Sequence, residues 1–351
     1  MARIVISGYY GFGNTGDEAV LSGICETFRQ IGLDAEITVI SQDPERTVRE
    51  HAGVKAISRK KLLHQLKALA KADLYISGGG SLFQDATSAR SAYYYLAGLQ
   101  MARVARCRTM IYAQGVGPLI RSSIRRAVAK EFNRADLVSV RDGGSVHLLK
   151  EIGVRREIHL CADPAFLVEP DFEAADEIIE RNGLAGKSLV GVSLRPWPAS
   201  NDWISRVAHL TAELCDKIGA QVVFIPMQEP VDTGVGEGPS LMHGGDPAVA
   251  KGLLARCELV VGMRLHALIF AVGAGVPCMP VVYDPKVSAF ANDVGLDISS
   301  TIGADEDSFT EAFLATWENR TTIAKRLAGE SALRRRQAVS CGELAAGLLE
   351  H

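Results

Sequence analysis

No apolar run in this chain is long enough to cross a bilayer. The longest, Ala267 to Val282, is broken by Gly273, Gly275, Pro277 and Pro280, and it falls short of the roughly 20 residues a spanning helix needs. No basic segment followed by an apolar stretch precedes the strand-like Arg3-Ile4-Val5-Ile6-Ser7. A signal peptide is therefore not expected, and the chain reads as cytoplasmic. An excess of charge of one sign is also missing. Lys plus Arg number 38 against 41 Asp plus Glu, a formal net charge of −3, which gives no electrostatic reason to expect a nucleic-acid partner. An anionic substrate must then be met by a local cluster of cations. The seven cysteines, Cys25, Cys107, Cys161, Cys215, Cys257, Cys278 and Cys341, contain no C-x-x-C pair. Their odd number and apolar neighbours read as reduced, buried thiols. No cluster has metal-ligand spacing, so no metal is expected.

What is present is apolar capacity. Hydrophobic residues make up 47% of 351 residues and charged residues 23%, enough for packed cores and long enough for two domains. Short β-rich runs alternate with longer helical patterns, as in parallel α/β construction. Strands are expected at 3–7, 35–40, 74–77, 109–113, 137–140 and 157–161, with helices around 18–30, 60–70, 91–105 and 124–135. A second series follows, with strands at 189–194, 221–226, 259–261 and 278–282 and helices near 203–218, 248–255, 265–274 and 308–317. The reading is an N-terminal Rossmann-like domain over 1–168, a linker and helix over 169–187, a C-terminal Rossmann-like domain over 188–325 and a basic helix over 326–351. The fold class is α/β, with two Rossmann-like domains facing a cleft, and ligands are expected beyond the carboxyl ends of the strands.

The first loop, Gly8-Tyr9-Tyr10-Gly11-Phe12-Gly13-Asn14-Thr15-Gly16-Asp17-Glu18, satisfies G-x-G-x-x-G, so a dinucleotide must be considered. Two details argue against it. The glycines begin several residues after the strand, and Asp17 and Glu18 occupy the first helical turn, where they would compete with a pyrophosphate for the same amides. Thr15 and Glu18 also have capping-box spacing. Either the loop is a tight turn and cap, or Tyr9, Tyr10 and Asn14 meet a sugar or base.

Other strand ends carry similar signals. Gly78, Gly79 and Gly80 after Ser77 let a backbone approach a ligand closely, with Gln84 and Asp85 following; a packing turn is the alternative. Gln114-Gly115-Val116-Gly117-Pro118 is a further turn. Arg141 ends a strand beside Asp142, either as a surface pair or as an anion ligand. Arg195 and Trp197 could hold a phosphate and stack on a base or sugar, or cover a domain interface. Gln228 and Glu229 are similarly placed. Gly262-Met263-Arg264-Leu265-His266 opens an apolar helix, where helix dipoles favour anions and where a cation and an imidazole need a negative or polar partner. Tyr283-Asp284-Pro285-Lys286 adds another cation. The tail, Lys325-Arg326 and Arg334-Arg335-Arg336, is either a solvated face or a peripheral contact with a lipid-diphosphate acceptor or an anionic membrane surface.

The segments Gly8–Ala19, Gly262–His266 and Tyr283–Lys286, with Gly78-Gly79-Gly80, Gly115–Pro118 and Ser139–Asp142 between them, together resemble the bacterial cell-wall polysaccharide pyruvyltransferases. Their G-Y-Y-G-x-x-N-x-G-D-E-A signature is matched here with Gly13 inside the variable pair. The resemblance runs over almost the whole chain. It implies a GT-B-like fold, phosphoenolpyruvate as donor substrate with no cofactor, and a lipid-linked or nucleotide-linked sugar such as N-acetylmannosamine as acceptor. It implies Arg141, Arg264 and Lys286 around the donor, with His266 and Arg264 at the chemistry. Asp17 or Asp85 would serve the sugar hydroxyls. A GT-B glycosyltransferase using a nucleotide sugar, or a non-catalytic sugar-binding scaffold, would share much of this pattern.

Overall fold

A computed structural model of the chain describes residues 1–86, 89–197 and 200–350, and these divide into two compact units. The first comprises Met1–Phe12, Asp17–Leu167 and the chain from Arg334 on. Its seven strands are β1 (Ala2–Ser7), β2 (Ala35–Ser41), β3 (Lys55–Ser58), β4 (Leu74–Gly78), β5 (Arg108–Gln114), β6 (Leu137–Val140) and β7 (Ile158–Leu160). They are all parallel, in the order β3-β2-β1-β4-β5-β6-β7. Ile4 of β1 stands opposite Ile37 on one side and Leu74 on the other. Helices α1 (Thr15–Gln30), α2 (Pro44–Glu50), α3 (Leu62–Leu69), α4 (Ala89–Val104), α5 (Ser122–Phe132) and α6 (Gly143–Glu151) connect the strands.

The two-residue alternation of a strand sorts this unit's core into two faces. Val5, Tyr75 and Ile111 pack with Leu96, Phe83 and Phe132 on one side. Ile4, Ile6, Leu74, Ile76 and Met110 pack with Val20, Leu21 and Ile24 of α1 on the other. Strands covered on both faces read as nearly unbroken apolar runs, which is why β1, β4 and β5 are legible in the sequence.

The second unit comprises Gly13–Gly16 and Val168–Leu333. Its strands are β8 (Leu189–Ser193), β9 (Gln221–Phe224), β10 (Leu259–Gly262), β11 (Cys278–Val282) and β12 (Ser300–Thr301), parallel in the order β12-β11-β10-β8-β9. The helices are α7 (Phe172–Arg181), α8 (Asn201–Ile218), α9 (Pro247–Ala255), α10 (Leu265–Gly273), α11 (Pro285–Asp293), α12 (Glu306–Glu318) and α13 (Arg320–Glu350). Strand order reverses between β1 and β4 in the first sheet and between β8 and β10 in the second. In open parallel sheets, crevices form at these reversals.

The units differ from the four-part division expected above. Helix α7 is no linker: Gly252 of α9 lies so close to it that an added Cβ would stand 2.3 Å from the Asp171 carbonyl and 2.9 Å from the Ala175 methyl. The final helix starts at Arg320, six residues before the expected boundary, and from Arg334 it joins the first unit, burying Ala338, Cys341 and Ala345. Their spacing of three and four residues is a helical core stripe, hidden in the sequence by the neighbouring arginines.

Elements absent from the sequence reading have physical reasons too. β3 is an edge strand with no fully buried residue, and β12 has two residues. Helix α11 begins at Pro285 with Asp284 as its side-chain cap, a helix-start signal that the turn-like Asp-Pro pair concealed. All seven cysteines are free thiols, and all but Cys25 are buried. Among the described residues no helix is long and apolar enough to cross a membrane.

Candidate active site

In the second unit the strand reversal lies between Ser193 and Gly262, which are paired in register. The amides of Met263 and Arg264 both donate to the Ser193 carbonyl, at 2.9 and 3.3 Å. The segments carrying Arg195 and Arg264 therefore leave the sheet side by side. Arg264 is the N-cap of α10 and its side chain does not cap the helix. Instead its guanidinium grips Asp232, with Nε donating to Oδ2 at 2.7 Å and Nη2 to Oδ1 at 2.5 Å, and Nη2 also reaches Gln228 Oε1 at 3.3 Å. Asp232 is buried and also accepts from the amides of Met227 and Gln228 at 3.2 and 3.0 Å. The charge of Arg264 is thus already met inside the protein, contrary to the expectation of an open donor ligand.

His266 lies one residue into α10 and is partly exposed. Gly16 from the first loop is packed against it: a Cβ on Gly16 would stand 2.0 Å from His266 Nδ1 and 2.3 Å from Cγ. Only glycine admits the imidazole at this place. The rest of the loop is tied to the same unit. Thr15 donates its amide to the Met227 carbonyl at 2.9 Å, and Asn14 bridges to Gln228. Asn14 Oδ1 accepts from the Gly16 amide at 3.1 Å. Asn14, and not a Thr15–Glu18 capping box, therefore serves the start of α1. Glu18 reaches back to the Gly11 amide at 2.8 Å and to His51 Nε2 at 3.2 Å.

Two cations stand clear of close carboxylates. Arg195 lies over the rings of Trp197 and Tyr283, at 5.4 and 6.0 Å from their centroids, and Lys286 lies 5.7 Å from the Tyr283 centroid. Trp197 meets Tyr283 edge-on, with centroids 4.8 Å apart. The Nε of Arg195 is buried with no hydrogen-bond partner among the described residues, and the nearest carboxylate to Lys286 is Asp284 at 4.0 Å. Tyr283 and Asp232 had no assigned role in the sequence reading. Tyr283 stands within the Tyr283–Lys286 motif, and Asp232 lies in no motif at all.

Glu229 is occupied elsewhere. Its Oε1 accepts from the His243 amide at 3.0 Å. The His243 ring is fixed as a neutral tautomer, because Nδ1 accepts from the Gly245 amide at 3.2 Å and Nε2 can then only donate to the Pro226 carbonyl at 2.6 Å. Burial holds its pKa below the usual value. A histidine that binds its proton less readily when folded stabilises the fold fully above its unfolded pKa, near 6.5, and progressively less below it. Between pH 7 and 5.5 the wild-type melting temperature is expected to fall. His243→Gln should flatten that slope, which one histidine can steepen by at most about 1.4 kcal/mol per pH unit. An unchanged slope in the variant would remove His243 as its source.

In the first unit several expected ligand residues have partners within the chain. Tyr10 is buried, donates its hydroxyl to the Gly78 carbonyl at 3.1 Å, and has its phenol pKa pushed well up by burial, with Asp17 and Glu18 adding. Its partner Tyr9 stacks on Phe12 at 4.0 Å. The triple glycine is explained by packing on α1 and Tyr10. A Cβ at Gly79 would lie 2.0 Å from Val20 Cγ1, one at Gly80 2.9 Å from Asp17 Oδ1, and one at Gly78 2.7 Å from the Tyr10 hydroxyl. Gln114 then seals the loop from below, donating to the Gly79 and Gly80 carbonyls at 3.1 and 2.8 Å.

Asp85, expected near the hydroxyls, is buried and accepts from the amides of Ile120 and Arg121 at 2.5 and 2.8 Å. Arg141 is buried too. It pairs with Asp163 at 2.6 Å and donates to Ser81 Oγ at 3.0 Å, so it braces the triple-glycine loop against the end of β6. Gln84 and Asp17 remain partly exposed. Glu18, Glu50 and His51 bring ligand atoms within 4.8 Å of one another, a grouping that sequence spacing did not reveal. There Glu18 is engaged by His51 and Glu50 by Arg46 at 2.7 Å.

Comparison with known proteins places this arrangement. HepE of Anabaena, solved in complex with UDP-glucose, superposes with a TM-score of 0.67 at 14% identity over 100% of both chains. MnaA of S. aureus, solved with UDP, gives 0.65 at 12% identity over 98% of this chain and 94% of that one. At such identities the likeness is one of fold, and the fold is GT-B-like. The amylovoran biosynthesis protein AmsJ of Erwinia amylovora is 20% identical, over 84% of this chain and 86% of AmsJ. Residues 14–285 match the family model for polysaccharide pyruvyl transferase, a span that contains His266 and Arg264 together with the loop start at Asn14 and ends one residue before Lys286. The chain belongs to the polysaccharide pyruvyl transferase family and is a transferase.

Proposed function

We propose that the protein moves the pyruvyl group of phosphoenolpyruvate onto two hydroxyls of one sugar in a lipid-linked polysaccharide precursor, N-acetylmannosamine being the first sugar to test. The observation that carries this reading is His266, held against Gly16 at the entrance of a helix whose N-cap residue, Arg264, makes no side-chain cap. Arg195 and Lys286 stand on the neighbouring strand ends. Phosphoenolpyruvate carries close to three negative charges at neutral pH. Arg195 and Lys286 meet the phosphate and carboxylate, with the α10 dipole adding to them. Arg264, already ion-paired, acts as a positioning residue.

His266, as the imidazolium, gives a proton to the methylene carbon, and positive charge develops at the central carbon. A sugar hydroxyl attacks that carbon and its proton returns to His266. The C–O bond to phosphate then breaks, with the cations stabilising the leaving dianion. The second hydroxyl closes the ketal and its proton leaves with phosphate. Of the two carboxylates considered for the hydroxyls, Asp85 is consumed by backbone amides.

Phosphoenolpyruvate is expected to raise the melting temperature of the wild type, and Lys286→Ala and Arg195→Ala to reduce the shift at a fixed ligand concentration. Stabilisation by a nucleotide sugar with none from phosphoenolpyruvate would favour the rival glycosyltransferase reading. Two observations favour that rival: the Trp197–Tyr283 aromatic pair beside Arg195, and the UDP-bound state of the structural relatives. Gly16→Ala is expected to push the His266 ring aside, lowering turnover at least about tenfold for a stability loss of about 1–3 kcal/mol. Wild-type turnover in Gly16→Ala would show that the packed position of His266 is not required.

A further inference from the structure

Helix α3 turns an apolar face to solvent. Leu62, Leu63 and Leu66 are 54%, 72% and 40% exposed, while Gln65 and Leu69 of the same helix are buried. Singly exposed leucines are ordinary; three on one short helix are not. At about 100° per residue, Gln65 and Leu69 mark the inward side, Leu62, Leu66 and Leu63 the next sector, and Lys67 the one beyond. Lys60 and Lys61 precede the helix and Lys71 follows it, all exposed. No Asp or Glu occurs between Glu50 and Asp73, a stretch holding Lys55, Arg59, Lys60, Lys61, Lys67 and Lys71.

Two of these cations have partners: Lys55 pairs with Glu36, and Arg59 lies over Phe12 and Tyr94. Lys60, Lys61, Lys67 and Lys71 take part in no ion pair among the described residues. Three of the four C-terminal arginines, where the sequence pointed to a membrane contact, behave differently. Arg326 donates to the Val294 carbonyl at 2.8 Å, Arg335 to that of Phe166 at 3.0 Å, and Arg334 to Gln337 at 3.3 Å. Those three are tied to the protein itself, while Lys325 and Arg336 stay exposed.

We propose that α3 docks the protein on an anionic phospholipid surface. Leu62, Leu63 and Leu66 enter the boundary between headgroups and acyl chains, and Lys60, Lys61, Lys67 and Lys71 meet the lipid phosphates. The occupant follows from charge: an apolar face rimmed by uncompensated lysines, on a chain that is acidic overall, matches a negatively charged bilayer. A second copy would bring the same lysines against these ones. The inference does not rest on pyruvyl transfer and would stand for any transferase on this fold.

The test is sedimentation of the full chain with vesicles of phosphatidylcholine alone and of phosphatidylcholine mixed with phosphatidylglycerol. The wild type is expected to bind the mixed vesicles at least about tenfold better, with binding falling as salt rises. Leu62→Gln with Leu63→Gln and Leu66→Gln should weaken binding by about tenfold or more. Lys60→Gln with Lys61→Gln should weaken it by about 25-fold, about fivefold for each lysine. All these positions are exposed, so the variants should melt with the wild type. Equal binding to both vesicle types, or wild-type binding by both variants, would overturn the proposal. So would a concentration-dependent dimer that the leucine variant abolishes while vesicle binding persists.

Discussion

His266→Ala is expected to lower phosphate release from phosphoenolpyruvate by about 10²–10⁴-fold, the usual contribution of a positioned general acid, with little change in melting temperature. The side chain is partly exposed in the first turn of α10, so its removal empties no closed core site. The apolar residues that hold α10, among them Leu268, Ile269 and Phe270, are untouched. Gly16→Ala moves the ring and His266→Ala deletes it. If the imidazole is the acid, the two variants should lose activity together, with the deletion the more severe. Gly16→Ala would also show the stability loss of an overpacked site, which His266→Ala would not. Turnover of His266→Ala near the wild-type rate would remove this side chain from the chemistry.

Asp232→Ala is expected to be the most destabilising change at the site, by about 3–5 kcal/mol, because it leaves the buried guanidinium of Arg264 without its counter-charge. The same substitution strips an acceptor from the Met227 and Gln228 amides. In a unit of this size the shift should be roughly 10 °C in melting temperature. Asp232→Asn keeps an acceptor oxygen for the amides and should fall between the two. Arg264→Met with Asp232→Leu, which removes both charges together, should recover much of the loss. Asp232→Ala melting like the wild type would mean that the pair does not hold this corner of the sheet. Because the Gln228 amide and carboxamide join the same network, Asp232→Ala should also loosen Asn14 and the Gly16–His266 contact. Turnover is then expected to fall in the fraction that remains folded.

Much of this was legible in the sequence because central parallel strands are apolar along their whole length. β6 and β11 lie at the residues expected, the other expected strands differ at their ends, and the edge strands β3 and β12 carry no such apolar run. What the sequence could not show is whether a polar residue at a strand end faces a ligand or another part of the chain. Tyr10, Asp85, Arg141, Arg264 and Glu229 stand on the predicted loops, yet each is satisfied by partners distant in sequence: Gly78, Ile120 and Arg121, Asp163, Asp232, and the His243 amide. No local pattern announces Asp232 as the partner of Arg264, since 32 residues separate them. The glycines illustrate the same limit. A run of three permits close approach by a ligand or by a helix, and here Val20, Tyr10 and Asp17 are the neighbours. His266 could be suspected because an imidazole and a cation at an apolar helix start need a polar explanation. Its dependence on Gly16, 250 residues earlier, could not.

The most direct measurement is acceptor-dependent phosphate release from phosphoenolpyruvate over a panel of N-acetylmannosamine, glucose and galactose glycosides and their lipid-diphosphate forms, with mass spectrometry of the sugar product. The account predicts phosphate release only when an accepted sugar is present, with a matching gain of one pyruvyl ketal on that sugar, and loss of both signals in His266→Ala. Consumption of a nucleotide sugar by the same panel, with phosphoenolpyruvate left intact, would contradict it.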